Sequence, residues 1–87
     1  MLPFKEENIE NNLYHRVFSE TTDDIEFIWH RDREDRIIEI IENDNWQLQY
    51  DNSVPEIMIG AYYIPKGEFH RIIKGNNDLH ILLKKIQ

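Results

Sequence analysis

The chain has no cysteine among its 87 residues. Neither a disulfide nor a thiolate metal site can therefore hold it together. Glycine is scarce too. Its three residues stand alone at Gly60, Gly67 and Gly75, so there is no glycine-rich phosphate loop. Ser19 and Ser53 lie in turn-like segments with no placed base, which leaves no nucleophile signature. Basic residues are outnumbered, 10 Lys and Arg against 17 Asp and Glu, for a formal net charge of −7. Such a balance disfavours nucleic acid and anionic membrane as partners. No apolar stretch approaches the ~20 residues of a membrane span. The first five residues lack the basic and apolar regions of a signal peptide, so the expected location is the cytoplasm.

What is present is a folding chain. Hydrophobic residues make up 40% of it, too many for a disordered segment of this charge. The length allows one domain, with a core that is marginal by itself. A bound metal or a second copy of the chain would supply stability.

The polar stretch at residues 5–12 is expected to be a loose lead-in, with residues 1–12 outside the domain proper. From there the chain reads as short strands at residues 13–19, 25–31, 36–42, 46–50, 57–59, 61–64, 69–74 and 79–86. Between them lies turn chemistry: Asn43-Asp44-Asn45, Asp51-Asn52-Ser53, Pro65-Lys66-Gly67 and Gly75-Asn76-Asn77-Asp78. A helix over residues 34–42 is the rival reading there. The β-branched run Ile37-Ile38-x-Ile40-Ile41 favours strand. Seven or eight short strands at even spacing predict a sandwich or barrel.

Two polar clusters carry the chemistry. The first is His30-Arg31-Asp32-Arg33-Glu34-Asp35-Arg36. The second is P-x-G-x-x-H at Pro65, Gly67 and His70. Strand alternation puts Ile28, His30 and Asp32 on one face, with Phe27, Trp29 and Arg31 on the other. It likewise sets His70 and Ile72 opposite Phe69, Arg71 and Ile73. If both histidines face inward, His30, Asp32 and His70 converge as two imidazoles and a carboxylate. That ligand set suits iron, with zinc, manganese or nickel as alternatives. Arg36 cannot bind a metal. Pointing inward, it would pair with Asp32 and favour an anionic ligand. Gln47 and Gln49 alternate with Trp46, Leu48 and Tyr50, and either face can look inward. His15 and His80 have no supporting context and read as surface or structural residues.

The two clusters together resemble the paired motifs of the cupin superfamily, in particular its shortest single-domain members, such as small cupin-like proteins of phages and marine bacteria. The resemblance covers about residues 25–86. The family's second motif, G-x5-P-x-G-x2-H-x3-N, is met at Pro65, Gly67 and His70. Gly60 falls one residue closer than the pattern, and Lys74 stands at the terminal Asn. In the first motif, G-x5-H-x-H-x3–4-E-x6-G, His30 takes the first histidine position. Asp32 replaces the second histidine, Arg36 falls on the glutamate, and Asn43 lies near the last glycine. The resemblance implies an all-β fold, a small jelly-roll (double-stranded β-helix) barrel of about seven or eight strands over residues 13–87. It also implies a divalent metal held by His30 and His70, with Asp32 as a substitute ligand. The family's hairpin spacing favours the Gln47 and Gln49 face as the inner one, with Tyr63 beside the second motif. If a virus encodes the chain, its cytoplasm is that of the host.

The leading functional expectation is a binding module. It would sense or sequester a small polar or anionic ligand, such as a metabolite or nucleotide, in a pocket lined by His30, Asp32, Arg36, Gln47, Gln49, Tyr63 and His70. The alternative is a metal-dependent isomerase or dioxygenase using His30, Asp32 and His70. A further alternative is an acidic inhibitor that docks on a basic protein. Phe27, Trp29, Ile37, Ile41, Phe69 and Ile73 would all lie on outer faces, which predicts a homodimer.

Overall fold

The computed structural model describes residues 4–21 and 27–86. The strands are β1 (Phe4–Glu10), β2 (Leu13–Phe18), β3 (Asp35–Asp44), β4 (Gln47–Tyr50), β5 (Glu56–Ile57), β6 (Ala61–Ile64), β7 (His70–Ile73) and β8 (Asn76–Ile86). There is no helix among the described residues, hence none long and apolar enough to cross a membrane. A large sheet runs in the order β1-β2-β8-β3-β6 and a small one in the order β5-β4-β7. All pairings are antiparallel. This is the expected all-β jelly roll.

The β-branched run of residues 36–42 forms most of β3, as its stiff side chains favour. β3 lies between β6 and β8. In β8, Leu79, Ile81 and Leu83 are buried and alternate with less buried neighbours, the pattern of a strand with one face on the core. Trp46 is fully buried. Its indole N–H is shared by the carbonyls of Asn76 and Asn77, at 3.1 and 3.0 Å. The Asn43 side chain closes the β3–β4 turn. Its Oδ1 accepts the Trp46 N–H at 2.8 Å, and its Nδ2 donates to the Trp46 and Met58 carbonyls.

Two expectations need correction. The polar segment after Phe4 is no loose lead-in. It is strand β1, paired with β2 from Phe4↔Phe18 to Glu10↔Leu13. As an edge strand it is held by backbone hydrogen bonds while its side chains face solvent, so it shows no apolar alternation. Only Phe4 packs on the core, edge-on to Phe18 at 5.4 Å between centroids. The strand expected at residues 25–31 falls partly on residues 22–26, outside the described residues. Residues 27–34 are irregular apart from one bridge between His30 and His70.

Gly75 passes close under the β3–β4 turn. A Cβ there would stand 2.4 Å from both the Asp44 carbonyl oxygen and the Trp46 nitrogen. Gly75→Ala is expected to force these backbones apart and cost about 1–3 kcal/mol, the usual range for overpacking. The denaturant midpoint measures it, and an unchanged midpoint would contradict the close approach.

Candidate metal centre

Backbone pairing builds the site. The His30 N–H donates to the His70 carbonyl at 3.0 Å, and the His70 N–H donates back to the His30 carbonyl at 2.9 Å. A reciprocal pair of this kind places two side chains together on one face. The imidazole centroids lie 4.4 Å apart. Asp32, two residues on, shares that face. Its carbonyl accepts the Gly67 N–H at 3.0 Å. Gly67 has φ near 80°, and the Glu68 N–H donates to the Pro65 carbonyl at 3.3 Å. These are the marks of a type II turn, whose third residue needs a positive φ. The Asp35 carboxylate accepts the Lys66 N–H at 2.8 Å. The P-x-G turn is thus tied to the segment that carries His30 and Asp32, and it delivers His70 into register with them.

Each imidazole is oriented through Nδ1. In His30 this nitrogen lies 3.0 Å from the Ile28 carbonyl, and in His70 2.8 Å from the Glu68 carbonyl. A carbonyl can only accept, so Nδ1 carries the proton and Nε2 of the neutral ring keeps its lone pair. Burial pushes the His70 pKa below its ordinary 6.5, outweighing the opposing pull of the hydrogen bond to Glu68. His70 is therefore neutral at pH 7. Its Nε2 faces Asp32 Oδ2 at 3.5 Å.

Asp32 divides its oxygens. Oδ1 pairs with Arg36 Nη1 at 3.3 Å, while Arg36 Nε donates to Glu34 Oε2 at 3.1 Å. Oδ2 is buried with no hydrogen-bond partner. One ring nitrogen from each histidine and one Asp32 oxygen lie within 4.8 Å of one another, a group that can hold a metal ion. Electron pairs thus converge on a point where nothing donates. A buried carboxylate oxygen left this way is costly. A divalent cation would satisfy it, and two imidazoles with one carboxylate are apt ligands. The residues present fit a metal.

Beside this group is a cavity of about 90 Å³, lined also by Arg36, Arg16 and apolar side chains including Phe4, Phe18, Phe27, Ile38 and Ile81. Arg16 was not anticipated from sequence. It alternates with Phe18 on the inner face of β2, which is the signal that could have found it. Its guanidinium donates to Glu6 at 2.7 Å and stacks 3.7 Å over the Phe4 ring. Burial lowers its pKa, but an arginine stays charged. Arg16 and Arg36 against Glu6, Asp32 and Glu34 give the site a formal charge of −1 with both imidazoles neutral.

The inner-face expectation for Gln47 and Gln49 is corrected. Trp46 and Leu48 are buried, so alternation turns both glutamines outward. Gln49 donates to the Ser53 carbonyl and accepts from Arg71. Burying indole and leucine is favourable, whereas two buried amides would need partners. Tyr63 is also outside the cavity, 53% exposed, with its hydroxyl donating to Asp35 on the rim. Phe27, expected outside, packs inward against Trp46, because the irregular backbone before His30 breaks the alternation. Trp29, Arg31, Phe69 and Arg71 are outward as expected. They stack in pairs, Arg71 over Trp29 and Arg31 over Phe69.

No family model and no curated protein matches this sequence. Solved structures do. A cupin domain from Bordetella pertussis Tohama I aligns with TM-score 0.68 and 16% identity, covering 99% of this chain and 95% of that one. A cupin-2 domain-containing protein from Shewanella frigidimarina aligns with TM-score 0.63 and 16% identity, covering 95% and 79%. An RmlC-like cupin from the same organism aligns with TM-score 0.56 and 13% identity, covering 97% and 86%. The chain has the cupin fold. At these identities the likeness concerns the fold alone.

The lowered His70 pKa has a defined sign in stability. The unfolded chain takes up a proton near 6.5, and the folded chain only at lower pH. Between the two values the unfolded state binds more protons, so stability rises with pH. His70's contribution is complete above 6.5 and lost as pH falls through the folded value. In metal-free protein the melting temperature is expected to drop between about pH 7.5 and pH 5, with a shallower slope in His70→Gln. An equal slope in that variant would contradict the assignment.

Proposed function

We propose that this protein is a metal-dependent binding module. A divalent metal held by His30, Asp32 and His70 would present a small anionic ligand to the cavity between Arg16 and Arg36. The observation that carries this reading is the buried Asp32 Oδ2, which faces the lone pair of His70 Nε2 with no donor. Iron, manganese, zinc and nickel all suit such ligands. When bound, the metal supplies Lewis acidity and an anchor for a ligand oxygen. Arg36 holds Oδ1, so Oδ2 alone is aimed at the histidines. Arg16 adds buried positive charge, braced by Glu6.

Size limits the ligand. At about 90 Å³ the cavity is smaller than the ~150 Å³ that accepts a benzene ring. This favours a short carboxylate or inorganic oxyanion and counts against a nucleotide. A second reading, turnover of the isomerase or dioxygenase kind, draws on the same three-ligand set, which leaves coordination positions open. A bound compound recovered chemically unchanged separates binding from turnover.

Self-association belongs to the same reading. Ile57 in the small sheet and Trp29 and Phe69 beside it are 52, 41 and 42% exposed. Large exposed apolar side chains mark interfaces.

Native mass spectrometry of protein prepared without chelator tests both points. The expected species is a dimer with a divalent metal on each chain. Asp32→Asn is expected to weaken metal affinity at least about tenfold, and chelator to lower the melting temperature of the wild type. A protein that takes up no divalent metal, with a melting temperature indifferent to chelator, would contradict the metal. A monomer would contradict self-association.

A further inference from the structure

The second pair of histidines lies on the other side of the large sheet. In β2, Arg16 and Phe18 are buried, so His15 points outward. In β8, Leu79 and Ile81 are buried, so His80 does too. The register Val17↔His80 and His15↔Leu82 makes the two histidines diagonal neighbours. His15 Nε2 and His80 Nδ1 stand 3.2 Å apart, with the rings 25° from parallel. His80's other nitrogen, Nε2, is 3.5 Å from Glu42 Oε2, on the strand that flanks β8. On the far side, Glu7 of β1 is the register partner of His15.

We propose that His15 Nε2 and His80 Nδ1 form a second metal site, a two-imidazole clamp on the outside of the barrel for an ion of the zinc, nickel or copper type. The spacing is the first support. With metal–nitrogen bonds of about 2.0–2.1 Å, two ligands of one tetrahedral or octahedral ion lie roughly 2.9–3.4 Å apart. The observed 3.2 Å needs little rearrangement.

Tautomers are the second support. Only one of the two facing nitrogens can carry a proton. The Glu42 carboxylate beside His80 Nε2 favours the proton there, so His80 Nδ1 offers its lone pair. His15 Nε2–H donates to that lone pair without metal. With metal, the His15 proton moves to Nδ1 and both facing nitrogens become ligands. No net proton release is needed.

Strand pairing is the third support. Both histidines sit on hydrogen-bonded strands, so little freedom is lost on binding. Glu7 supplies a carboxylate on the same face, since Cβ atoms of directly paired residues lie roughly 4.5–5.5 Å apart. The His80 side chain is 30% exposed, open enough for an ion to reach. The site is independent of the inner one. It faces away from the cavity and shares no residue with it.

The experiment is equilibrium dialysis against Zn²⁺ for the wild type, His15→Gln, His80→Gln and His70→Ala, with circular dichroism melts to confirm folding. The wild type is expected to bind two ions per chain. Either outer variant should lose one and keep the other, and His70→Ala should do the converse. Glu42→Gln should weaken the outer ion about tenfold, the usual cost of losing a carboxylate that orients a ligating imidazole. If His70→Ala fails to fold, ¹⁵N shifts of the His15 and His80 rings in wild-type protein report the outer site directly. The proposal is overturned if His15→Gln and His80→Gln bind as many ions, as tightly, as the wild type, or if neither ring shifts with Zn²⁺. One wild-type ion, lost in His15→Gln and kept in His70→Ala, would uphold the outer site while sinking the inner one.

Discussion

Two backbone hydrogen bonds between His30 and His70 hold the candidate metal centre together. Residues 27–34 contain no regular strand, and this is the one backbone bridge that pairs them with the small sheet among the described residues. It sets the imidazoles side by side, turns Asp32 toward them, and lets Phe27 close over Trp46. Each such bond contributes only about 0.5–1.5 kcal/mol net. The Gly67 N–H to Asp32 carbonyl bond and the Asp35 clasp on Lys66 reinforce it. A metal drawing on both histidines and Asp32 would join the same two segments again, so binding and local folding are coupled.

Arg36 stands where the cupin pattern has a carboxylate ligand, and a guanidinium there would be expected to spoil a cation site. The geometry shows another result. Arg36 takes one oxygen of Asp32 and leaves the other, Oδ2, bare against His70. The site's formal −1 would become +1 with a divalent cation, and the guanidinium groups of Arg16 and Arg36 line the same cavity. With Arg36 in place of a carboxylate, the proposed metal would sit beside a guanidinium, which is what favours an anionic ligand in the proposed reading.

Much of this was legible in the sequence. The P-x-G-x-x-H string encodes a turn and a strand start, because Gly67 must adopt a positive φ and His70 then falls at a fixed place. His30, Asp32 and His70 followed from alternation within short segments. Alternation failed where its premise failed. Phe27 precedes the one bridge in an irregular segment, so counting back from His30 gave it the wrong face. Gln47 and Gln49 were turned inward by motif spacing, against the burial preference of Trp46 and Leu48, and burial prevailed. β1 was illegible because an exposed edge strand needs only backbone partners. Alternation with Phe18 marks Arg16 as inward, but the partners that make a buried guanidinium tolerable, Glu6 and Phe4, lie on that unread strand.

The most direct measurement is an anomalous-difference map from crystals grown with manganese or zinc. A peak within bonding distance of His30 and His70 Nε2 and of Asp32 Oδ2, with Arg36 still on Oδ1, is the expected result. A map empty at that point, with a ring N–H of His70 donating to Asp32 Oδ2, would contradict it, since the converging electron pairs would then have been satisfied by a proton.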